Sequence, residues 1–282
     1  MSQPGTFVGV CMTTHLRRSR VLREARSGKI STVFKLNLSD PRVAEIIAAA
    51  GVSALWLCNE HVPNDWLNLE NQIRAAALHG ADVIVRVAKG SYSDYLRPFE
   101  AGATGLMIPH VTSAEEARQV VRLARFHPLG KRPMDGGNTD GLYTRVPAKE
   151  YVEFCNAEKF IILQIESPEG LENIEEIAAV EGYDFLMLGP GDFAHQIGKP
   201  GEIDCPEVTQ ARARVEAAAR AHGKGCVAIA VPGTPEELLA RGYVMTTVGS
   251  DVSTLTVAAL EALKPFGNRE SADGTADSPY AR

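Results

Sequence analysis

Eight short apolar segments alternate along the chain with segments of helical spacing. The first apolar run, 31–38 (STVFKLNL), is followed by a helical segment that begins at Pro41, after Ser39 and Asp40, and ends at Gly51. Continuous apolar runs of this length are typical of parallel strands that helices cover on the outside. Because eight strand-helix units close a barrel, the pattern predicts a (β/α)8 fold of the TIM-barrel type. The other apolar runs lie at 53–61, 81–87, 104–111, 160–165, 185–188, 224–231 and 243–250.

Two segments break this periodicity and are predicted as loops, 127–146 and 189–205. Long loops inside compact domains are usually functional, which draws attention to both. Elsewhere the local signals agree with the alternation, and Ser113 with Glu116 predicts a capping box at the start of the fourth helix. The sequence contains neither a GxGxxG motif nor a P-loop, so a doubly wound nucleotide-binding fold is disfavoured.

The sequence predicts three parts: an N-terminal extension over 1–30 with a short helix, the barrel over 31–266, and a disordered polar tail over 267–282. The extension carries a basic cluster at 16–26 (LRRSRVLREAR). This cluster could contact RNA or could form a solvated helix that closes the bottom of the fold. The second interpretation is favoured, since charge runs are usually solvated faces.

The composition is that of an ordinary globular protein, with 45% hydrophobic and 23% charged residues. A net charge of −6 argues against a nucleic-acid partner, because such proteins normally carry a basic stripe. No run of 18 apolar residues and no signal-peptide core are found, so neither a membrane segment nor secretion is expected. The cysteines are odd in number and not closely paired, which favours a reducing cytoplasm over a disulfide framework. They are Cys11, Cys58, Cys155, Cys205 and Cys226.

Polar side chains gather where the predicted strands end. In a barrel of this type the carboxyl ends of the strands form one rim, where the chemistry takes place. Strand two ends in Asn59-Glu60-His61, and the candidates that we take from the rim are His61, Arg86, Gln164, Glu166, Gly191 and Asp192. One histidine, one arginine and two carboxylates on a single rim form a coherent catalytic set.

Glu166 and Asp192 offer carboxylate oxygens, which are hard ligands for Mg²⁺ or Mn²⁺, while Co²⁺ or Zn²⁺ remain possible. A 2-oxo acid could chelate such a metal through its carboxylate and keto oxygens. The metal and Arg86 would then stabilise the enolate that forms when a carbon–carbon bond breaks or a proton leaves. Backbone N–H groups of Gly191 and Asp192 could hold the substrate carboxylate, since glycine permits a close approach.

Each candidate also has a structural interpretation. His61 could be a structural hydrogen-bonding residue, and Arg86 could simply pair with Glu60 or Glu166. Glu166 and Asp192 could cap helix N-termini. The joint placement of these residues on one rim favours the functional interpretation.

Four segments carry a resemblance to a known family: EHVPND, VIVRV, LQIESPEGLENI and LMLGPGDFAHQIG. They resemble the motifs of the HpcH/HpaI-type metal-dependent 2-oxo-acid (pyruvate) aldolases, and the similarity extends from about residue 34 to 264. The resemblance implies a (β/α)8 barrel whose last helix swaps between subunits, usually within a homohexamer. It also implies Glu166 and Asp192 as metal ligands, His61 as the acid/base acting through metal-bound water, and Arg86 as the residue that holds the keto oxygen.

The chain departs from the family pattern at three places. Cys58-Asn59 replace the usual Asp-Gly before the histidine, so His61 lacks its usual carboxylate partner unless Asn59 or Glu60 substitutes. The loop 131–141 replaces an Arg-Gly-Val-Gly loop that borders the substrate pocket. Strand one lacks the usual aromatic residue and instead carries Lys35 and Asn37 on one face, which could face the barrel mouth.

These departures leave two minor alternatives open. Cys58 could be a nucleophile rather than a packed thiol. Lys35 could form a Schiff base, although pairing with Glu166 or Glu60 explains a lysine there equally well.

Together these observations predict a carbon–carbon lyase. The enzyme would cleave or form the bond adjacent to a 2-oxo acid through a metal-bound pyruvate-type enolate, with a small 2-oxo acid and an aldehyde as its partners. Two alternatives remain from the altered motifs. One is a decarboxylase or hydrolase that uses the same metal and enolate chemistry, and the other is a non-catalytic relative that binds a 2-oxo acid.

Overall fold

The structure is a computed structural model that describes residues 16–266. Its eight parallel strands form a closed barrel, in which each strand pairs with its sequence neighbours and β8 pairs with β1. The predicted (β/α)8 barrel is confirmed. The strands are β1 (Ser31–Leu36), β2 (Ala54–Cys58), β3 (Asp82–Arg86), β4 (Gly105–Ile108), β5 (Phe160–Ile165), β6 (Phe185–Leu188), β7 (Gly225–Ala228) and β8 (Tyr243–Ser250).

One helix, α1, precedes the first strand, and the other helices follow the strands and surround the barrel. They are α1 (Arg20–Arg26), α2 (Pro41–Ala49), α3 (Trp66–Leu78), α4 (Tyr92–Glu100), α5 (Ala114–Ala124), α6 (Ala148–Glu158), α7 (Pro168–Glu172), α8 (Ile174–Ala178), α9 (Pro190–Gln196), α10 (Pro206–Ala221), α11 (Pro235–Ala240) and α12 (Asp251–Leu263). One prediction is wrong here, because 189–205 is not all loop. Pro190 occupies the first turn of α9, where its fixed φ and missing N–H suit a helix start, so Gly189-Pro190-Gly191 opens a helix.

Local capping explains where several helices begin. The Asp40 side chain accepts a hydrogen bond from the backbone N–H of Arg42, with Pro41 next to the cap, as the sequence suggested. At α5 the Ser113 hydroxyl accepts from the N–H of Glu116 at 3.2 Å. The Glu116 carboxylate, however, accepts from Thr112 rather than from Ser113, so only half of the predicted capping box forms.

Side chains that point into the barrel form one apolar cluster, separate from the larger core between strands and helices. Val21 and Leu22 of α1 belong to this interior cluster, which places α1 across the N-terminal end of the barrel. Asp82, the first residue of β3, accepts hydrogen bonds from the Val21 N–H at 2.9 Å and from Arg17 at 2.7 Å. The helix predicted in 16–26 therefore closes the bottom of the fold. Residues 1–15 and the predicted tail, 267–282, lie outside the described residues.

The irregular segment 127–146 also lies at the N-terminal end of the barrel. Its centre is a buried network in which Arg132 contacts Asp140 at 2.8 Å and the Tyr151 hydroxyl donates to Asp140 at 2.9 Å. A 3₁₀ turn at Thr139–Gly141 packs beside Gly102, just before β4. The expectation that 131–141 borders the substrate pocket is therefore wrong for this chain's own barrel. The segment lies between α5 and α6, in the connection that leads from α5 back to β5, and this connection is at the end opposite the rim.

Helix α12 leaves most of its apolar side chains exposed. Only Asp251 at its start is buried, where it accepts hydrogen bonds from the backbone N–H groups of Asn37 and Leu38. The exposed apolar residues of this helix and its end are Val252, Leu255, Val257, Leu260, Leu263 and Phe266. Between residues 16 and 266, no helix is long and apolar enough to cross a membrane.

Candidate active site

The polar residues predicted from the strand ends do meet at the carboxyl-terminal rim. Arg86 ends β3, Gln164 lies near the end of β5, and Glu166 follows that strand directly. His61 lies in the loop after β2, and Asp192 occupies the first turn of α9 after β6. Because neighbouring strands are consecutive in sequence, these side chains occupy the part of the mouth between β2 and β6.

Glu166 is the most deeply buried acid of the site, with 1% of its side chain exposed. One carboxylate oxygen accepts from the backbone N–H of His110 at 2.7 Å, and the other accepts from the Gln164 amide at 2.5 Å. Burial raises the pKa of Glu166 to about 8; the nearby charges of Asp192 and Glu60 add to the rise, while the His110 N–H opposes it. The fold therefore holds this carboxylate in one orientation. Its buried surroundings disfavour the negative charge, so a bound cation would stabilise the ionised form.

Gly189, which directly follows β6, has no side chain, and the Glu166 carboxylate occupies the space where a Cβ would lie. A Cβ built on Gly189 would lie 2.5 Å from Oε2 of Glu166 and 2.7 Å from Nε2 of Gln164. Both distances are far inside van der Waals contact. The glycine is thus required by the approach of these two side chains.

Gly189→Ala is accordingly expected to displace Glu166 and to lower turnover by about 100-fold, since a shift near 1 Å in a catalytic group has that order of effect. The measurement is the steady-state rate beside the melting temperature. Gly136→Ala is the matched control, because nothing lies within 4 Å of a Cβ at that glycine. Wild-type turnover in Gly189→Ala would show that the position of Glu166 does not matter.

Arg86 is buried and is held by two neighbours. Its Nη2 donates to the Cys58 thiol at 3.1 Å. Its Nε lies 3.0 Å from Oε2 of Glu60, although the angle does not make this ion pair a hydrogen bond. Burial raises the pKa of Cys58, but the Arg86 charge and hydrogen bonds outweigh it, so the pKa is lowered overall. Cys58 thus supports Arg86, and no described contact points to a nucleophilic role.

His61 is the most exposed of the predicted catalytic residues, with 59% of its side chain accessible. Its Nε2 lies 3.6 Å from the Glu60 carboxylate, and its backbone N–H points at the Cys58 sulfur at 3.4 Å. The acid nearest to the imidazole is therefore Glu60. This supports Glu60, rather than Asn59, as the substitute for the missing aspartate.

His110 is a rim residue that the sequence analysis missed. It lies two residues beyond β4, in a left-handed backbone conformation with φ of 51°. Its Nδ1 is 3.3 Å from Glu166 and its Nε2 is 3.5 Å from Glu60, so the ring bridges the two acids. The signal that could have revealed it is its place in the sequence, since His110 follows β4 at the same interval as Glu60 follows β2.

Lys35 forms no ion pair with Glu60 or Glu166, so that structural interpretation is wrong. Its ammonium instead lies 5.2 Å from the centre of the Trp56 ring. Asn37 contributes its backbone N–H to Asp251.

The donor set at Glu166 and Asp192 suits a hard divalent cation. Among residues 16–266, no group of three or more His, Cys, Asp and Glu side chains is arranged to hold a metal ion, so a metal at this site would have at most two such ligands. Two protein ligands leave positions for substrate and water, which is the usual arrangement for Mg²⁺. The Oε1 atom of Gln164 is buried without a hydrogen-bond partner and offers one more oxygen beside Glu166. These residues fit the metal that the resemblance implies.

Comparison with known proteins agrees with this geometry. Residues 31–258 match the HpcH/HpaI aldolase/citrate lyase family. The chain belongs to that family. The hydroxypyruvate/pyruvate aldolase of Delftia acidovorans is 35% identical over 84% of this chain and 88% of its own. The 2-keto-3-deoxy-L-rhamnonate aldolase of Klebsiella pneumoniae is 32% identical over 82% of this chain and 86% of its own.

A solved structure of the same family is also similar. The crystal structure of an HpcH/HpaI aldolase from Desulfitobacterium hafniense superimposes with a TM-score of 0.81 at 30% identity, covering 89% of this chain and 98% of that one. The relatives named here are aldolases, which are carbon–carbon lyases. The family resemblance inferred from the four motifs is confirmed.

Proposed function

We propose that this protein is a divalent-metal-dependent aldolase that cleaves or forms the carbon–carbon bond adjacent to a 2-oxo acid. One observation carries the proposal: in a member of this family, the two carboxylates of Glu166 and Asp192 and the buried guanidinium of Arg86 share one rim. Two anionic ligands and a fixed cation suit the formation of an enolate, in which negative charge develops on the former keto oxygen.

Glu166 and Asp192 would hold the metal, with Mg²⁺ or Mn²⁺ favoured by their oxygen donors and Co²⁺ or Zn²⁺ also compatible. When bound, the ion supplies Lewis-acid stabilisation of the developing oxyanion. The other groups orient the substrate. Arg86 offers donors to the keto oxygen, Gln164 lines the site, and the free backbone N–H groups of Gly191 and Asp192 in the first turn of α9 face a carboxylate.

The cleavage reaction then needs one base. His61, paired with Glu60, accepts the proton of the substrate 4-hydroxyl through an intervening water. The electrons of that O–H bond form the aldehyde carbonyl, the C3–C4 bond breaks, and its electron pair becomes the enolate of pyruvate. Protonation at C3 completes the reaction, and synthesis is the reverse.

Exchange of the C3 protons of pyruvate with solvent tests the proposal directly. The enzyme with Mg²⁺ or Mn²⁺ should catalyse this exchange without any aldehyde present, because exchange requires only enolate formation. Exchange followed by NMR in deuterated buffer should stop when a chelator is added and resume when the metal is restored. Failure to exchange with any of the four metals would overturn the proposed function.

The raised pKa of Glu166 predicts how pH and metal affect stability. Folding raises this pKa from 4.5 to about 8, so the folded protein keeps a proton that the unfolded chain releases. The metal-free protein should therefore lose unfolding free energy as pH rises from about 4.5 to 8, about 4 kcal/mol across that range. Mg²⁺ or Mn²⁺ should restore stability most strongly at the upper end of that range, where no proton competes.

Differential scanning calorimetry of the metal-free and metal-loaded protein across this pH range measures both effects. Glu166→Gln cannot ionise and should show neither the pH slope nor most of the metal effect. Identical pH slopes in the variant and the wild type would assign the effect to another group.

We also propose that the protein is a homo-oligomer, with the hexamer implied by resemblance, in which a second copy covers α12. Its exposed apolar side chains support this, because a helix with that many exposed apolar residues normally packs against a partner. Swapping of α12 between subunits would provide such a partner. Leu260→Glu should then reduce the mass in light scattering from a multiple of 30.4 kDa to that of the monomer.

Lys149→Glu is the matched control for the added charge, since Lys149 is 87% exposed on α6. A wild-type protein that elutes as a monomer would contradict the oligomer. A cytoplasmic location is proposed as well, supported by four described cysteines that are all free thiols.

A further inference from the structure

Lys35 occupies a position where a lysine is unexpected. Its strand, β1, alternates between side chains of the barrel interior, such as Val33, and side chains of the outer core, such as Leu36. Lys35 lies two residues beyond Val33 and therefore points inward, in register with Trp56 of β2. An apolar residue there would avoid the cost of desolvating an ammonium group.

Lys35 has no anionic partner within the described part of the chain. Its ammonium makes neither an ion pair nor a hydrogen bond there, and its contact is the Trp56 ring. The acids around it are engaged elsewhere. Asp251 accepts from the backbone N–H groups of Asn37 and Leu38, and Glu60 pairs with Arg86.

A second cation increases the demand for an anion at this place. The Arg86 guanidinium lies 5.0 Å from the centre of the same Trp56 ring, so both cations contact one indole. Burial lowers the pKa of Lys35 and repulsion by Arg86 lowers it further, and the opposing charges of Cys58, Asp251 and Glu60 do not outweigh these effects. An anion bound at Lys35 would offset that repulsion and leave Arg86 free for the keto oxygen.

The position of β1 in the barrel indicates which part of the substrate reaches Lys35. In a closed barrel of eight strands, β1 is opposite β5 and is separated from β6 by β7 and β8. Glu166 and the backbone N–H groups of Gly191 and Asp192, which would receive the 2-oxo acid in the proposed function, lie on the far side. A substrate that extends from them across the mouth brings its other end towards β1.

We propose that Lys35 binds an acidic group on the acceptor half of the substrate, so that the preferred acceptor is an anionic aldehyde. This inference rests on the proposed aldolase function. It assigns the acceptor class, which the rim residues around Glu166 do not determine. The same charge would recognise a carboxylate or a phosphate, and the choice between them is made by experiment.

The test compares aldol additions of pyruvate to anionic and neutral aldehydes. Succinic semialdehyde supplies a carboxylate, glyceraldehyde 3-phosphate supplies a phosphate, and butanal and glyceraldehyde are their neutral counterparts. In the wild type, kcat/KM for at least one anionic aldehyde should exceed that of its neutral counterpart by about tenfold or more, and Lys35→Met should remove the preference. Lys35→Arg should retain part of it, and Lys149→Met, on the surface, should leave it unchanged.

C3 proton exchange of pyruvate, measured for the same proteins, separates the two proposals. If the wild type shows no exchange, the proposed aldolase function is wrong. If it shows exchange but no preference for anionic aldehydes, only the proposed role of Lys35 is wrong. An equal loss for anionic and neutral aldehydes in Lys35→Met would also overturn it, as a structural role or contact with the pyruvate carboxylate would then explain the lysine. Covalent trapping of pyruvate on Lys35 by borohydride would replace the proposal with Schiff-base chemistry.

Discussion

Asp192→Ala is expected to lower the rate of pyruvate C3 proton exchange by about 1000-fold or more, which is the order of effect when electrostatic stabilisation of an oxyanion is lost. Asp192 supplies one of two carboxylates. The other, Glu166, already accepts hydrogen bonds at both oxygens, from His110 and Gln164. Left alone, Glu166 would hold a divalent ion too weakly to support catalysis.

Exchange by NMR and metal affinity by titration calorimetry should fall together in this variant. Asp204→Ala is the matched control, because Asp204 is an exposed acid between α9 and α10 on the same side of the barrel. The melting temperature shows whether the variant is folded. Full exchange in a folded Asp192→Ala protein would remove Asp192 from the metal site.

Arg86→Ala is expected to abolish pyruvate release from 4-hydroxy-2-oxo acids, with a loss of about 1000-fold or more in kcat/KM. Arg86 is a buried cation whose charge acts on Glu166, and its guanidinium is already fixed by Cys58 and Glu60 before substrate arrives. Its loss removes charge from the developing oxyanion and leaves the Glu60 carboxylate without its partner.

Because removal of a buried charge can destabilise the fold, Arg86→Lys provides the second variant. It keeps the charge but loses the planar array of donors, so an intermediate loss of about 10- to 100-fold is expected. Arg97→Ala, which removes an exposed arginine beside Trp66, is the control for losing an arginine near an indole. Activity close to wild type in both Arg86 variants would contradict the mechanism.

The sequence was sufficient to predict the barrel and the acids on its rim. Continuous apolar runs can form strands only if helices cover them, and a parallel barrel brings all carboxyl ends to one face. Arg86 and Glu166, at the ends of β3 and β5, were therefore placed by counting strands. Their precise roles and that of Asp192 stay proposals, since position alone does not assign chemistry.

Side-chain contacts across the mouth were beyond sequence reasoning. Glu60 contacts Arg86 and lies close to both His61 and His110, a convergence that depends on barrel curvature and loop conformation. His110 adopts a left-handed φ that a non-glycine residue seldom takes. The local sequence, Pro109-His110-Val111, does not indicate this conformation. Its backbone N–H consequently points at Glu166.

Two predictions about loops were wrong for identifiable reasons. Gly189-Pro190-Gly191 was interpreted as a turn because glycine and proline break periodicity, yet proline is also common at the first helical position. The segment 131–141 was placed beside the pocket by analogy with the family. Chain order alone would have placed it at the other end, because it belongs to the connection from α5 back to β5.

Several polar anchors of the fold lie at the end away from the chemistry. Arg132 with Asp140, and Arg125 with Asp184, join the segments that lead into β5 and β6, and α1 is fixed to Asp82 there. Substitutions of the residues around Lys35 would leave these contacts at the amino-terminal end of the barrel intact. A library at those positions could therefore change the accepted aldehyde while the protein keeps its thermal stability.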